Sequence, residues 1–370
     1  MHHPSFLMTV LAFLLMLGPL VVLHELGHYL VGRWCGVRAD AFSVGFGREL
    51  LGWTDSRGTR WKLSMLPLGG YVQFAGDVNA IGMPADAVAR LSPSEREGIF
   101  YFKPLWQRAL IVLAGPATNM LVAFAIFFAF NATYGRIVAP PVIAAFASPS
   151  PARAAGMRIG DRITSIDGEA IASFDQISAR VVPFAGDFLT ITATRAGKPF
   201  TVRVQIATFD QRDQFGNDSK IGRIGIGAGK PQIVHSGFLD AARLSFDQGI
   251  SIFRLMLTGV HQIADGQRSV KELGGPVKIA QYSGEQLTLG WAEFVYFAAF
   301  ISINLAFINL LPIPGLDGGH LTFYAAEALR GKPLDIRSQE WAFRTGLALV
   351  LGLMLFVTIN DLVSLNLFGR

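Results

Sequence analysis

The sequence predicts a mainly α-helical polytopic membrane protein with four transmembrane helices, a membrane-associated β-hairpin region and an inserted α+β domain. Of the 370 residues, 51% are hydrophobic and only 16% are charged, a balance typical of integral membrane proteins. Four apolar stretches are long enough to cross a bilayer. The net charge is +5, but the Lys and Arg residues are not gathered with aromatic residues, which disfavours nucleic-acid binding.

The first predicted span, Phe6–Val31, contains an H-E-x-x-H motif. On a helix His24 and His28 lie one turn apart, so both imidazoles can reach one metal ion, and Glu25 can act on a water bound there. Ionisable groups in a bilayer are costly and usually functional, although they can also be structural polar residues of a packed helix. Because Met1–Ser5 carry no Lys or Arg, a removable signal peptide is not expected.

The loop after the first span is basic and β-rich. The positive-inside rule places basic loops in the cytoplasm, so we expect the metal site on that side. Phe42–Gly47, Thr59–Met65 and Tyr71–Phe74 predict short strands and hairpins that lie at or dip into the membrane. An edge strand there could bind an extended peptide by β-addition, or the sheet could have only a packing role. Ser92–Glu95 predicts the start of a short helix.

A soluble domain is predicted after the second span, Ala109–Phe130, which contains Asn119 at membrane depth. We expect this amide to hydrogen-bond between helices rather than to act in catalysis. Ala152–Ile171 resembles the core signature of PDZ domains, with Asp167-Gly168 closing a hairpin. A PDZ groove implies that peptide ends bind by strand addition, and a steric gate that binds little is the alternative.

The last third of the chain contains two more predicted spans. His235–Ile263 is rich in Leu, Ile and Phe but carries charges at helical spacing, which indicates an amphipathic helix and not a span. We expect Gly274–Leu289 to be an interfacial or loop segment. Phe294–Leu311 is the third span and ends in a proline- and glycine-rich stretch, which is tolerated at membrane depth where it lines a cavity. Trp341–Ile359 is the fourth span.

A catalytic zinc site needs three protein ligands and one open position. His24 and His28 supply two, and Asp317 is the best candidate for the third. With four spans, Asp317 falls at the cytoplasmic end, level with the histidines. His320 is a rival ligand, although a position at a helix start or behind the ligands suits it better.

The predicted chemistry is zinc-assisted peptide hydrolysis. Zinc lowers the pKa of its water toward about 7, and Glu25 takes the proton and delivers it to the leaving amine. Asn304 and Asn309 on the third span could hold the substrate backbone or stabilise the oxyanion. Hydrogen bonds between helices are the simpler interpretation of both amides.

Three motifs in register resemble the site-2 proteases, which are intramembrane zinc metalloproteases: His24–His28, Gly115–Asn119 and Asn304–His320. The resemblance is strongest to the bacterial branch that regulates sigma-E. It implies Zn²⁺ at His24, His28 and Asp317, with Glu25 as the catalytic acid and base. It also implies a bacterial inner-membrane location, a periplasmic PDZ domain, and single-pass substrates of the anti-sigma type cut after a first outer-side cleavage, together with remnant signal peptides. This chain shows one PDZ copy where well-known members carry two.

Two other function classes compete with the protease. A catalytically silent membrane scaffold would act through its PDZ domain, and a zinc transporter would need a path of ionisable residues across the spans. The complete His-His-Asp and Glu set favours the protease. The expected domains are 1–134 with the H-E-x-x-H site and β-loop, 138–229 as the PDZ domain, 235–290 as amphipathic periplasmic helices and linker, and 291–370 with the last two spans.

Overall fold

The structure is a computed structural model that describes residues 4–76, 96–212, 218–234, 237–266, 270, 274–332, 334 and 336–364. The short helix predicted to start at Ser92–Glu95 and the residue His235 lie outside these ranges. Two compact units are present. One consists of Met1–Phe127 with Gly274–Asp361, and the other of Phe128–Leu273 with Leu362–Arg370.

The described residues form nine α-helices and twelve β-strands. In chain order the helices are α1 (Phe6–Trp34), α2 (Leu105–Thr133), α3 (Pro151–Ala154), α4 (Phe174–Val181), α5 (Phe238–Ala264), α6 (Pro276–Leu289), α7 (Trp291–Leu310), α8 (Asp317–Arg330) and α9 (Ile336–Ser364). The strands are β1 (Ala39–Thr54), β2 (Arg60–Phe74), β3 (Arg136–Val138), β4 (Ile143–Phe146), β5 (Arg162–Ile166), β6 (Glu169–Ala170), β7 (Phe188–Arg195), β8 (Lys198–Gln205), β9 (Ala207–Arg212), β10 (Asp218–Arg223), β11 (Ile226–Ala228) and β12 (Gln232–Val234).

Four helices among the described residues are long and apolar enough to cross a membrane: α1, α2, α7 and the Gln339–Val363 part of α9. The four-span prediction is therefore confirmed. Helix α5 has 27 residues but is not one of the four, because charged residues interrupt its apolar sequence. This agrees with the prediction of an amphipathic helix.

The β-rich loop is longer and more regular than predicted. In place of several short strands, β1 and β2 form one antiparallel pair with repeated register shifts. Phe42 has partners at both Val72 and Trp61, so the first part of β1 pairs with two separate parts of β2. Gly45 and Gly47, both at φ +90°, provide the backbone conformation that lets the strand bend between these partners.

This sheet packs against α1 just beyond the H-E-x-x-H motif. Tyr29, which follows His28, has its ring 5.8 Å from Phe42 and 5.2 Å from Trp61. Phe74 belongs to the same buried cluster. Aromatic side chains bury the largest areas of any residue type, so these contacts hold β2 beside the motif.

The segment between α2 and α5 is a compact domain with one hydrophobic core, which we call the PDZ-like domain (residues 138–229). Its main sheet has the order β6-β5-β7-β8, and β4 pairs with β11. Asp167 (φ 49°) and Gly168 (φ 83°) form the predicted tight turn before β6. Ile163, Ile166 and Ile191 of this domain are completely buried.

An ion pair supports the start of β5. Asp161 Oδ1 and Oδ2 accept hydrogen bonds from the Arg195 guanidinium at 2.8 Å, and the Arg158 amide donates to Oδ2 at 2.7 Å. The Arg195 guanidinium therefore holds the pKa of the Asp161 carboxyl below its usual range.

The segment Gly274–Leu289, which we expected to be an interfacial or loop segment, is helical over Pro276–Leu289 and not a loop. Helix α6 begins with Pro276 in its first turn, where proline fits because the missing N–H has no helical partner. Asp361, fully buried in α9, accepts hydrogen bonds from the amides of Gly275 and Lys278 at 3.2 and 3.1 Å. This cap comes from 83 or more residues away, so the local sequence did not reveal it. The structure groups α6 with the apolar helices and not with the preceding linker.

Candidate metal centre

Helix α1 brings its two motif histidines to one point. His24 and His28 are buried, at 7% and 9% exposure, and their Nε2 atoms lie 3.2 Å apart. The helix runs unbroken through the motif, so the four-residue spacing stacks the two rings on one face, as predicted.

The third group comes from the broken stretch after α7. Helix α7 ends at Leu310, Leu311 is extended, and a new helix begins at Asp317. Asp317 Oδ2 lies 3.2 Å from His24 Nε2 and 3.4 Å from His28 Nε2. This oxygen is buried and accepts no hydrogen bond of good geometry. A bound cation would compensate its negative charge.

The three atoms form a nearly equilateral triangle with sides of 3.2, 3.2 and 3.4 Å. Nitrogen and oxygen ligands about 2.0–2.1 Å from a tetrahedral zinc are separated by roughly 3.3–3.4 Å. His24, His28 and Asp317 are the one group in the described part of the chain that could hold a metal ion. The triangle leaves the fourth tetrahedral position free for water, so these residues fit a catalytic zinc.

Comparison with known proteins assigns the chain to a family. A family model described as Peptidase family M50 matches residues 12–353. The chain belongs to peptidase family M50. It is a zinc metalloprotease of the site-2 protease type and a multi-pass membrane protein.

Curated relatives of this M50 protease match over almost its full length. A candidate zinc metalloprotease of Agrobacterium fabrum is 42% identical over 361 residues, which cover 96% of each chain. Another, from Rhizobium meliloti, is 44% identical over 359 residues and also covers 96% of each chain. The metalloprotease MmpA of Caulobacter vibrioides is 33% identical over 390 residues, with 98% of each chain covered.

The solved structures that are similar to part of the chain include a PDZ domain. The PDZ domain of an SdrC-like protein from Listeria monocytogenes is 22% identical, with a TM-score of 0.19, and covers 25% of this chain and 92% of that domain. Residues 138–229 are called PDZ-like because they contain the Ala152–Ile171 signature and its Asp167-Gly168 turn.

Helix α2 of the M50 protease lies directly behind both histidines. The Ile111 carbonyl accepts a hydrogen bond from His28 Nδ1 at 2.8 Å, and the side-chain amide of Asn119 lies 3.3 Å from His24 Nδ1. Between them, Gly115 approaches so closely that a Cβ there would lie 2.5 Å from His28 Cε1 and 2.8 Å from His24 Cε1. The backbone of α2 can contact the metal centre because this position has no side chain.

The carboxylate of Glu25 is oriented by the sheet. Its Oε2 accepts a hydrogen bond from the Val72 amide of β2 at 3.1 Å. Gly70, on the same part of β2, would place a Cβ 3.6 Å from Glu25 Cγ. This part of the sheet therefore borders the H-E-x-x-H motif.

Two contacts hold α8, whose first residue is Asp317. Arg108 of α2 donates to Glu327 of α8 at 3.0 Å, and both side chains are largely buried. The Arg108 guanidinium also lies 4.9 Å from the centre of the Tyr324 ring. Losing one partner of a buried ion pair costs about 3–5 kcal/mol, so this pair fixes the helix that carries Asp317.

The remaining predicted site residues lie near the triangle in sequence but are not part of it. His320 is on α8 with its ring 6.5 Å from that of Tyr324, and it is absent from the metal-binding group among the described residues. Asn304 and Asn309 are partly buried on α7. In the described part of the chain, neither amide is hydrogen-bonded to Glu25 or to the triangle.

Sequence reasoning missed the role of α2. We expected Asn119 to bond between helices, and it does, but its partner on α1 is the candidate metal ligand His24. The sequence did contain a signal for this contact. Gly115 and Asn119 are four residues apart and therefore lie on one face of α2, in the same way that the two histidines lie on one face of α1.

Proposed function

We propose that this M50 protease is an intramembrane endopeptidase in which His24, His28 and Asp317 hold the zinc ion and Glu25 is the catalytic acid and base. The observation that carries the proposal is the triangle of two Nε2 atoms and Asp317 Oδ2, whose sides match a tetrahedral zinc site.

The protein supplies orientation and proton transfer around that site. Zinc, when bound, polarises a peptide carbonyl and lowers the pKa of a bound water toward about 7. The hydrogen bond from the Val72 amide holds Oε2 of Glu25, which leaves Oε1 to accept the proton of the attacking water. Glu25 then delivers that proton to the leaving amine.

Substrate must reach Glu25 as an extended strand, since a peptide bond inside a helix is protected by its own hydrogen bonds. The part of β2 that contains Gly70 and Val72 borders Glu25, which supports binding of the unwound substrate by strand addition. Asn304 and Asn309, on the helix that leads to Asp317, are the candidates to hold the opposite side of the substrate backbone.

The proposed substrates are single-pass membrane proteins of the anti-sigma type, cut after a first outer-side cleavage, and remnant signal peptides. The basic loop after α1 supports a bacterial inner-membrane topology with the metal centre toward the cytoplasm. The same topology puts the PDZ-like domain in the periplasm, where its groove would receive peptide ends exposed by the first cut.

The test compares wild type with Glu25→Gln in cells. We expect single-span fragments to accumulate in the membrane proteome of the variant, while the purified variant keeps one zinc per chain because Glu25 is not a ligand. A catalytically silent scaffold acting through the PDZ-like domain predicts unchanged fragments. Equal levels of single-span fragments in both strains would therefore refute the catalytic role of Glu25 and favour the scaffold.

A further inference from the structure

Asn119 is completely buried on α2, and its two polar ends are held differently. Its backbone carbonyl accepts a hydrogen bond from Ser302 Oγ of α7 at 2.8 Å. Its side-chain Nδ2 lies 3.3 Å from His24 Nδ1, and its Oδ1 is buried without a hydrogen-bond partner in the described part of the chain. Thus the backbone of Asn119 ties α2 to α7, and its side chain is directed at a metal-ligand histidine.

Metal binding decides which end of the amide must face His24. A histidine that binds a metal through Nε2 carries its proton on Nδ1, and this N–H needs an acceptor. His28 already has one, the Ile111 carbonyl at 2.8 Å. For His24 the group in reach is the Asn119 amide, whose oxygen and nitrogen exchange places by a half-turn that coordinates alone do not distinguish.

We propose that Asn119 is a positioning residue for the zinc site: its Oδ1 accepts the hydrogen bond of His24 Nδ1–H and holds the imidazole with Nε2 toward the metal. The half-turn places the oxygen that has no partner against the one N–H that needs an acceptor. Helix α2 would then orient both histidines, His28 through a backbone carbonyl and His24 through a side chain. This inference rests on the proposed zinc site.

The test measures zinc affinity of purified, detergent-solubilised protein by competition with a chromophoric chelator. Asn119→Leu keeps the volume but removes the acceptor, and we expect zinc to bind 10- to 100-fold more weakly, the range found when a group behind a metal ligand is lost. Asn119→Asp keeps an acceptor and should bind zinc at least as tightly as wild type. The absorption spectrum of the cobalt-substituted protein should change in the Leu variant and stay wild-type-like in the Asp variant.

Ser302→Ala is the matched control, because it removes the hydrogen bond between α2 and α7 at the same residue without touching His24. We expect unchanged zinc affinity. The inference is overturned if Asn119→Leu binds zinc like wild type, if Asn119→Asp is as weak as Asn119→Leu, or if Ser302→Ala weakens binding equally, which would indicate helix packing alone. Absence of zinc from the wild type would instead overturn the proposed function, and the inference with it.

Discussion

Adding one methyl group at Gly115 tests the metal centre most directly. In Gly115→Ala the new Cβ would lie 2.5 Å from His28 Cε1 and 2.8 Å from His24 Cε1. Ordinary contact begins at 3.4 Å, so the His24 ring must move by about 0.6 Å (3.4 − 2.8). The His28 ring must move by more than 0.9 Å (3.4 − 2.5), because its Nε2 atom lies even closer to the new Cβ than Cε1 does. The substitution should not destabilise helix α2 itself, since alanine stabilises a helix interior relative to glycine by roughly 0.5–1 kcal/mol.

These displacements exceed what a zinc site accepts. Ligand distances in zinc sites stay within about 0.2 Å of their usual values, and movements several times larger on two of three ligands should reduce affinity by at least about 100-fold. Zinc content after purification and chelator competition measure the loss, and cleavage of a co-expressed single-span substrate should fall with it.

Gly18→Ala is the matched control, because it adds the same methyl group to α1, where no atom lies within 4 Å of the new Cβ. It should keep wild-type zinc content and activity. Wild-type zinc affinity in Gly115→Ala would contradict the close approach of α2 to the histidines, and with it the geometry of the candidate site.

Two further predictions concern the segment before Asp317 and the PDZ-like domain. Gly346→Ala in α9 would place a Cβ 2.6 Å from the Pro314 carbonyl carbon and so displace the segment that leads to Asp317. We expect chelator competition to show at least a 10-fold loss of zinc affinity. Gly352→Ala, which has no atom within 4 Å of the new Cβ, is the control and should bind zinc like wild type. The pKa of Asp161 is held low by hydrogen bonding to Arg195, so its charge stabilises the domain above the unfolded pKa of about 3.9, and this stability is lost as pH falls through the folded value. Asp161→Asn should therefore reduce hydrogen-exchange protection of β5 and β7 at pH 7, and the difference from wild type should shrink at low pH. Equal protection of variant and wild type at pH 7 would refute the stabilising role of the Asp161 charge.

The membrane class and the four spans could be read from the sequence because they depend on composition and run length. The H-E-x-x-H pair is equally local, since the helical period alone places His24 and His28 on one face. Asp317 could be selected because few carboxylates occur in apolar sequence and because the order of the spans puts it at the right end. The Asp167-Gly168 turn was predictable from its dipeptide.

Other features depend on contacts between distant parts of the chain. The double pairing of β1 with β2 was missed because register follows from which face is buried against α1, and each short run was compatible with an independent hairpin. The start of helix α6 was not predicted, because the side chain that caps it, Asp361, lies on α9. A local pattern does not record a partner that arrives from another segment.

The sequence by itself determined that this chain spans a membrane and carries the residue types of a zinc peptidase, because hydropathy and helical spacing are properties of neighbouring residues. Only the tertiary structure decided that Asp317 Oδ2 and the two Nε2 atoms lie within 3.4 Å of one another, that Val72 orients Glu25, and that α2 lies behind both histidines. The contact between Asn119 and His24 joins residues 95 apart. Such contacts arise from the packing of distant segments. Here they require glycine at position 115, because a side chain there would overlap both histidine rings.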